Sequence, residues 1–71
     1  MARQELGIRV RTARIQSGLS VKELADHASV SASYIYAIES GKRGTHIEKL
    51  SRIANALGIP LQDLWSETLP E

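Results

Sequence analysis

Two helix-start signals, set too close together for a long hairpin, constrain this chain more than any other feature. Ser20-Val21-Lys22-Glu23 has the form of a capping box: the serine hydroxyl takes the N3 amide and the glutamate reaches back to the cap. It opens a predicted helix from Val21 to Ala28, with Leu24, Ala25 and Ala28 as its inward set. Ser29-Val30-Ser31 intervene, and Ser31 caps a second predicted helix from Ala32 to Ser40, closed by Gly41. Two such short helices joined by three residues cannot run back along one another. They cross at roughly 90–120°.

The rest of the chain supplies a body for this unit. Leu6, Val10, Ala13 and Ser17 share one face of a predicted first helix, Gln4 to Ser17, and Gly18 is a natural stop. Ile8 and Ile15 form a second stripe, nearly opposite the first, able to receive another helix of the chain or a partner. Lys42-Arg43-Gly44 reads as a basic turn. Thr45-His46-Ile47-Glu48 reads as a second capping box, opening a fourth helix with Ile47, Leu50, Ile53, Ala54 and Leu57 on one face and Gly58 at its end. Ile59-Pro60 turns the chain into a last short helix carrying Leu61, Leu64 and Trp65, with Pro60 at a tolerated first helical position. No segment alternates with period two, so no sheet is predicted. The expectation is an all-α, compact five-helix domain over residues 4–65, with residues 66–71 as a short tail.

Size and composition remove several function classes. A chain of 71 residues is one small domain, and folding at that size buries only about 60% of the surface exposed by the unfolded chain. A large internal active-site cavity would be costly. With no cysteine there is no disulfide framework, thiolate metal site or cysteine nucleophile, which fits a reducing cytoplasm. His27 and His46 stand alone, without a second ligand at metal spacing, so no metal or other cofactor is expected. No glycine-flanked nucleophile or phosphate-cradling loop appears, and an enzyme is not expected. No apolar run approaches the ~18 residues of a membrane span.

The formal net charge is only +1, but its placement is uneven. Residues 1–52 hold all nine Lys and Arg with five acids, whereas residues 53–71 hold three acids and no Lys or Arg. One basic working surface and one acidic end are implied. In the crossed two-helix arrangement the second helix presents its outer face, N-terminus first, to the major groove of DNA. At 100° per residue that helix places Ile35, Ile38 and Glu39 inward, and Ser33, Tyr36, Ala37 and Ser40 outward. A bare carboxylate on the buried side is very unfavourable, so Glu39 needs a cation. Arg14, on the shoulder of the first helix's inward face, is the predicted partner in a structural ion pair.

Taken together, Leu6-Gly7-x-Arg9-Val10-Arg11, Arg14, Gly18-Leu19-Ser20, Glu23-Leu24-Ala25, Val30-Ser31-x-Ser33-Tyr34-Ile35, Ile38-Glu39-x-Gly41-Lys42-Arg43 and Ile53-Ala54-x-Ala56-Leu57-Gly58 resemble the phage-repressor-like, XRE-type helix-turn-helix family. The resemblance runs from residue 6 to about residue 65, with residues 21–40 as the helix-turn-helix unit. It implies a lambda-repressor-like domain that regulates transcription by binding pseudo-palindromic double-stranded DNA operators as a homodimer, in a bacterial or phage setting. Carried over by position, base-reading roles fall to Ala32, Ser33 and Ala37, with Tyr36 beside them. Phosphate contacts fall to Val21, Ser40, Lys42 and Arg43.

The chain departs from the family pattern at three points. Val21 stands where glutamine is usual, Ser29 where glycine is usual, and the reading helix carries no outward Arg, Gln or Asn. Modest direct readout, supplemented by DNA shape and phosphate contacts, is implied. Arg9 and Arg11 suit either a DNA-backbone contact or a solvated helix face. Tyr34 lies at the boundary between core edge and DNA contact. Ile59, Leu61, Leu64, Trp65 and Leu69 suit a dimer interface, or a lid over the first and fourth helices. A repressor fold used as an antitoxin-like or adaptor module, gripping a protein partner, is the alternative function.

Overall fold

The computed structural model describes residues 2–65, and these form five helices: α1 (Arg3–Gln16), α2 (Val21–Ala28), α3 (Ala32–Glu39), α4 (Ile47–Leu57) and α5 (Leu61–Leu64). The tail, with Leu69, lies outside the described residues. Local chemistry explains most of the boundaries. The Ser20 hydroxyl accepts the Glu23 N–H at 3.0 Å and Glu23 Oε1 accepts the Ser20 N–H at 2.8 Å, so the capping box is complete. The Ser31 hydroxyl accepts the Tyr34 N–H at 3.1 Å and starts α3. Between the two, Ser29 adopts the left-handed conformation (φ 59°) that glycine would occupy without penalty.

Helix α3 packs against α1 and α2, α4 against α2 and α5, and α5 returns to α1, so the five elements close around one core. Leu6, Val10, Leu24, Ile35, Ile38, Leu50, Ile53 and Leu64 are fully enclosed. Apolar burial of this kind is the main driving force for so small a domain. Helix α3 is therefore held from its inner side, and its outer side is not used by the fold.

Two features join α1 to α3. Gly7 lies directly against the end of α3: a Cβ there would sit 2.4 Å from the Ile38 carbonyl oxygen and 2.7 Å from that of Glu39. Only glycine permits this approach. Further along α1, the Arg14 guanidinium grips Glu39 with two hydrogen bonds of 2.6 and 3.1 Å and donates a third, of 2.9 Å, to the Leu19 carbonyl. Hydrogen bonding to Glu39 outweighs desolvation and holds the Arg14 pKa above its ordinary value. The cation therefore stays charged throughout the accessible pH range.

The structure differs from the sequence reading at the start of α4 and the end of α1. His46, not Thr45, is the N-cap of α4, and it makes no side-chain cap bond. The Thr45 hydroxyl is instead paired with the Tyr34 hydroxyl, so the second capping box does not form. With the helix starting one residue late, Ile47 is its first residue and remains 54% exposed, beyond the elements that cover Leu50 and Ile53. Ser17 likewise leaves the inward face, because it caps α1 with its backbone N–H and is exposed. Pro60 is the N-cap of α5 rather than its first residue.

Replacing Gly7 by alanine should cost about 1–3 kcal/mol, since backbone rather than a flexible side chain must yield. Thermal unfolding should show a midpoint at least ~4 °C lower, and an unchanged midpoint would mean that α1 separates from α3 freely. For the ion pair, Arg14→Gln or Glu39→Gln should cost about 3 kcal/mol in urea denaturation, whereas the joint Arg14→Met/Glu39→Leu replacement should cost far less than the two together. Additive losses would show that the partners act independently. The Ser20 backbone hydrogen bond holds the exposed Glu23 carboxyl below the usual carboxylate range. Its folded pKa thus lies below its unfolded one, so its contribution is present above the unfolded pKa and vanishes as pH falls through the folded pKa. The stability gap between the wild type and Glu23→Gln should close over that acidic window; a pH-independent gap would contradict the cap's titration.

Candidate nucleic-acid interface

The outer face of α3 gathers most of the residues singled out from the sequence. Ser33, Tyr36, Ala37 and Ser40 line one shallow, open hollow of about 390 Å³ together with Lys42. Tyr36 is 62% exposed, Ser33 and Ser40 are exposed, and Ala37 is half-buried. Ala32 is also half-buried, packed on the edge of the core at the start of the helix. The Ser40 hydroxyl donates to the Ala37 carbonyl at 3.1 Å, which closes the helix end and fixes that side chain. The surface offers hydroxyls, methyls and one aromatic ring. It carries little charge of its own.

Cations sit at its edges. After α3 the chain turns through Gly41 (φ 78°), and the Lys42 N–H returns to the Ala37 carbonyl at 3.0 Å, so the basic turn is folded against the helix. Both Lys42 and Arg43 are exposed. On the other edge, Arg11 shares a second hollow with Tyr36, Glu39 and Ser40, which places it beside the outer face of α3. Arg9 is bound to Glu5 at 3.0 Å and lines a different groove with Ile8, Ile59 and Asp63. The structure thus separates two arginines that the sequence left equivalent.

Burial bears on several of the residues named from the sequence. The side chain of Val21 is buried, because an apolar group at that position falls onto the core; only its backbone amide is left for a phosphate. Leu64 is fully enclosed in the core and has no exposed surface. Ile59, Leu61 and Trp65 are half-buried against the same core and keep part of their area outward. Tyr34 is buried at 7% exposure, which places it at the core edge.

Sequence reasoning missed Lys49. Its ammonium lies 4.7 Å from the Tyr34 ring centroid, and the Arg43 guanidinium lies 4.8 Å from the same point. The signal for Tyr34 was present in its i, i+4 relation to Ile38, which puts it on the inward stripe. For Lys49 there was none, since the pairing depends on where the first turn of α4 falls relative to Tyr34. Among the described residues, no group of three or more His, Cys, Asp or Glu side chains converges, and no helix is long and apolar enough to cross a membrane.

Known proteins share this arrangement. The helix-turn-helix family model HTH_3 matches residues 10–64. The transcriptional regulator ClgR of Mycobacterium tuberculosis is 38% identical over 61 residues, covering 86% of this chain and 54% of the regulator. The HTH-type transcriptional repressor RghR of Bacillus subtilis is 37% identical over 62 residues, covering 86% of the chain and 46% of the repressor. The chain therefore spans about half the length of these curated relatives. Among solved structures, the restriction-modification controller protein C.AhdI from Aeromonas hydrophila superposes with a TM-score of 0.86 at 30% identity, over 89% of this chain and 96% of the controller. The matched family model spans most of the described helices, and the chain belongs to the XRE-type helix-turn-helix family.

Proposed function

We infer that this chain is a DNA-binding transcriptional regulator that acts in the cytoplasm as a homodimer on a pseudo-palindromic operator, with α3 in the major groove. One observation carries the reading. The fold leaves the outer face of α3 uncommitted and brings Ser33, Tyr36, Ala37 and Ser40 together on it, with Lys42 and Arg11 at its margins. Ser33 can hydrogen-bond a base edge, while Ala32, Ala37 and the Tyr36 ring suit thymine methyl groups. Phosphate contacts by Ser40, Lys42 and Arg43, with the Val21 amide and Arg11, hold the helix in register. An uncharged reading face places more of the discrimination on DNA shape. A two-fold arrangement sets the two α3 helices about 34 Å apart, one turn of the duplex. The outward parts of Ile59, Leu61 and Trp65 supply the surface for pairing.

The adaptor reading retains one observation in its favour. Ile8 and Ile15 are 64% and 57% exposed on α1. A protein partner seated on that stripe would leave the basic turn dispensable.

Selection of bound duplexes from a random pool, followed by salt titration on the recovered sequence, tests the two. The dimer should enrich a palindrome, and log K should fall with log salt at a slope near −5 if each protomer neutralises about three phosphates. Lys42→Glu/Arg43→Glu should abolish enrichment, and Ile8→Glu/Ile15→Glu should leave it intact. A folded wild type that enriches no palindrome, or a basic-turn variant with full activity and a stoichiometric protein partner, would overturn the DNA reading.

A further inference from the structure

The Tyr34 ring is buried, is fixed at its far end by the pairing of its hydroxyl with Thr45, and carries two cations on its π surface. One comes from the basic turn, Arg43, and the other from the first turn of α4, Lys49. Neither has a carboxylate partner among the described residues, whereas Arg9, Arg14 and Arg52 each have one. The Lys49 stem is half-buried, so its ammonium is guided to this position rather than free to sweep the surface. Tyr34 belongs to the first turn of α3, the end of the reading helix that enters a groove first.

We propose that Lys49 is a DNA-phosphate ligand acting jointly with Arg43, and that Tyr34 is the positioning residue that holds both cations beside the leading end of α3. The proposal rests on the DNA-binding reading above and adds to it a residue and a mechanism. Two cations drawn to one ring leave a local excess of positive charge, which the phosphates of a duplex neutralise. The guanidinium contributes directed, paired donors and the ammonium a point charge, a combination suited to a phosphodiester. Attraction to the ring face lowers the number of arrangements each side chain must give up on binding. The Tyr34–Thr45 contact keeps the ring from rotating away. It also accounts for why Thr45 does not cap α4.

Binding to a short mixed-sequence duplex, measured by fluorescence anisotropy across a salt series, tests the assignment without knowledge of an operator. Lys49→Gln should make the slope of log K against log salt shallower by about 0.9 per protomer, and Lys49→Arg should restore it. Tyr34→Leu should weaken binding at low salt, and Tyr34→Phe, which keeps the ring, should bind more nearly like the wild type. Circular dichroism on each variant separates loss of contact from loss of fold. If Lys49→Gln keeps the wild-type slope while Arg43→Gln flattens it, Lys49 is only a packing residue and the proposal fails, with the DNA reading intact. If neither substitution changes the slope the proposal fails, and if Lys42→Gln does not change it either, the basic turn does not meet phosphates and the DNA reading fails as well.

Discussion

The rest of the structure depends on the grip of Arg14 on Glu39. A carboxylate on the inner side of α3 is unfavourable on its own, yet here it is the point at which that helix is fastened. The same guanidinium also holds the Leu19 carbonyl, the residue before the cap of α2. One side chain therefore ties the end of α1, the entry to α2 and the end of α3. Gly7 allows the close approach on which this geometry depends. Hydrophobic burial drives collapse without choosing directions, whereas a two-pronged guanidinium–carboxylate contact sets the orientation. The outer face of α3 is consequently presented at a fixed attitude, which a helix that reads grooves requires.

The disposition of charge follows from the same economy. A net charge of +1 looks too small for a partner as acidic as DNA. Among the described residues, though, Arg9, Arg14 and Arg52 are matched by Glu5, Glu39 and Glu48 and serve the fold or its surface. Of the other six, Arg11, Lys42, Arg43 and Lys49 lie on or beside α3 or its basic turn, Arg3 lines a hollow with Arg43, and Lys22 stands on α2. The positive field is thus concentrated at one side, and it borders an outer α3 face that carries little charge. Phosphates supply affinity in such an arrangement, and base edges and duplex shape supply choice.

Much of this was legible in the sequence, and the exceptions share a cause. The Ser20 and Ser31 caps and the α3 stripe are short-range signals, governed by atoms within one helical turn, and they fixed the crossed pair of helices. The Arg14–Glu39 pair could be inferred because a buried acid demands a cation and few were in reach. Thr45 resembled a cap by the same local rule, but a tertiary partner, the Tyr34 hydroxyl, took its side chain. Ile47 was assigned inward by periodicity, yet a residue in the first turn has nothing beneath it unless another element extends that far. Val21 was carried over by position as a phosphate contact, although its own apolarity sends the side chain to the core. Lys49 left no trace in the sequence, since its approach to Tyr34 depends on where the first turn of α4 falls in the fold.

The central claim is that the outer face of α3 and its basic turn form the DNA-facing surface. Amide and side-chain chemical shifts recorded while duplex DNA is titrated into the folded protein report on that claim directly. The account predicts that the perturbed resonances cluster at Ser31 to Ala37, Ser40 to Arg43 and Lys49, with Ile8 and Ile15 unmoved. Perturbations concentrated on the Ile8/Ile15 stripe of α1, with the α3 face silent, would contradict it.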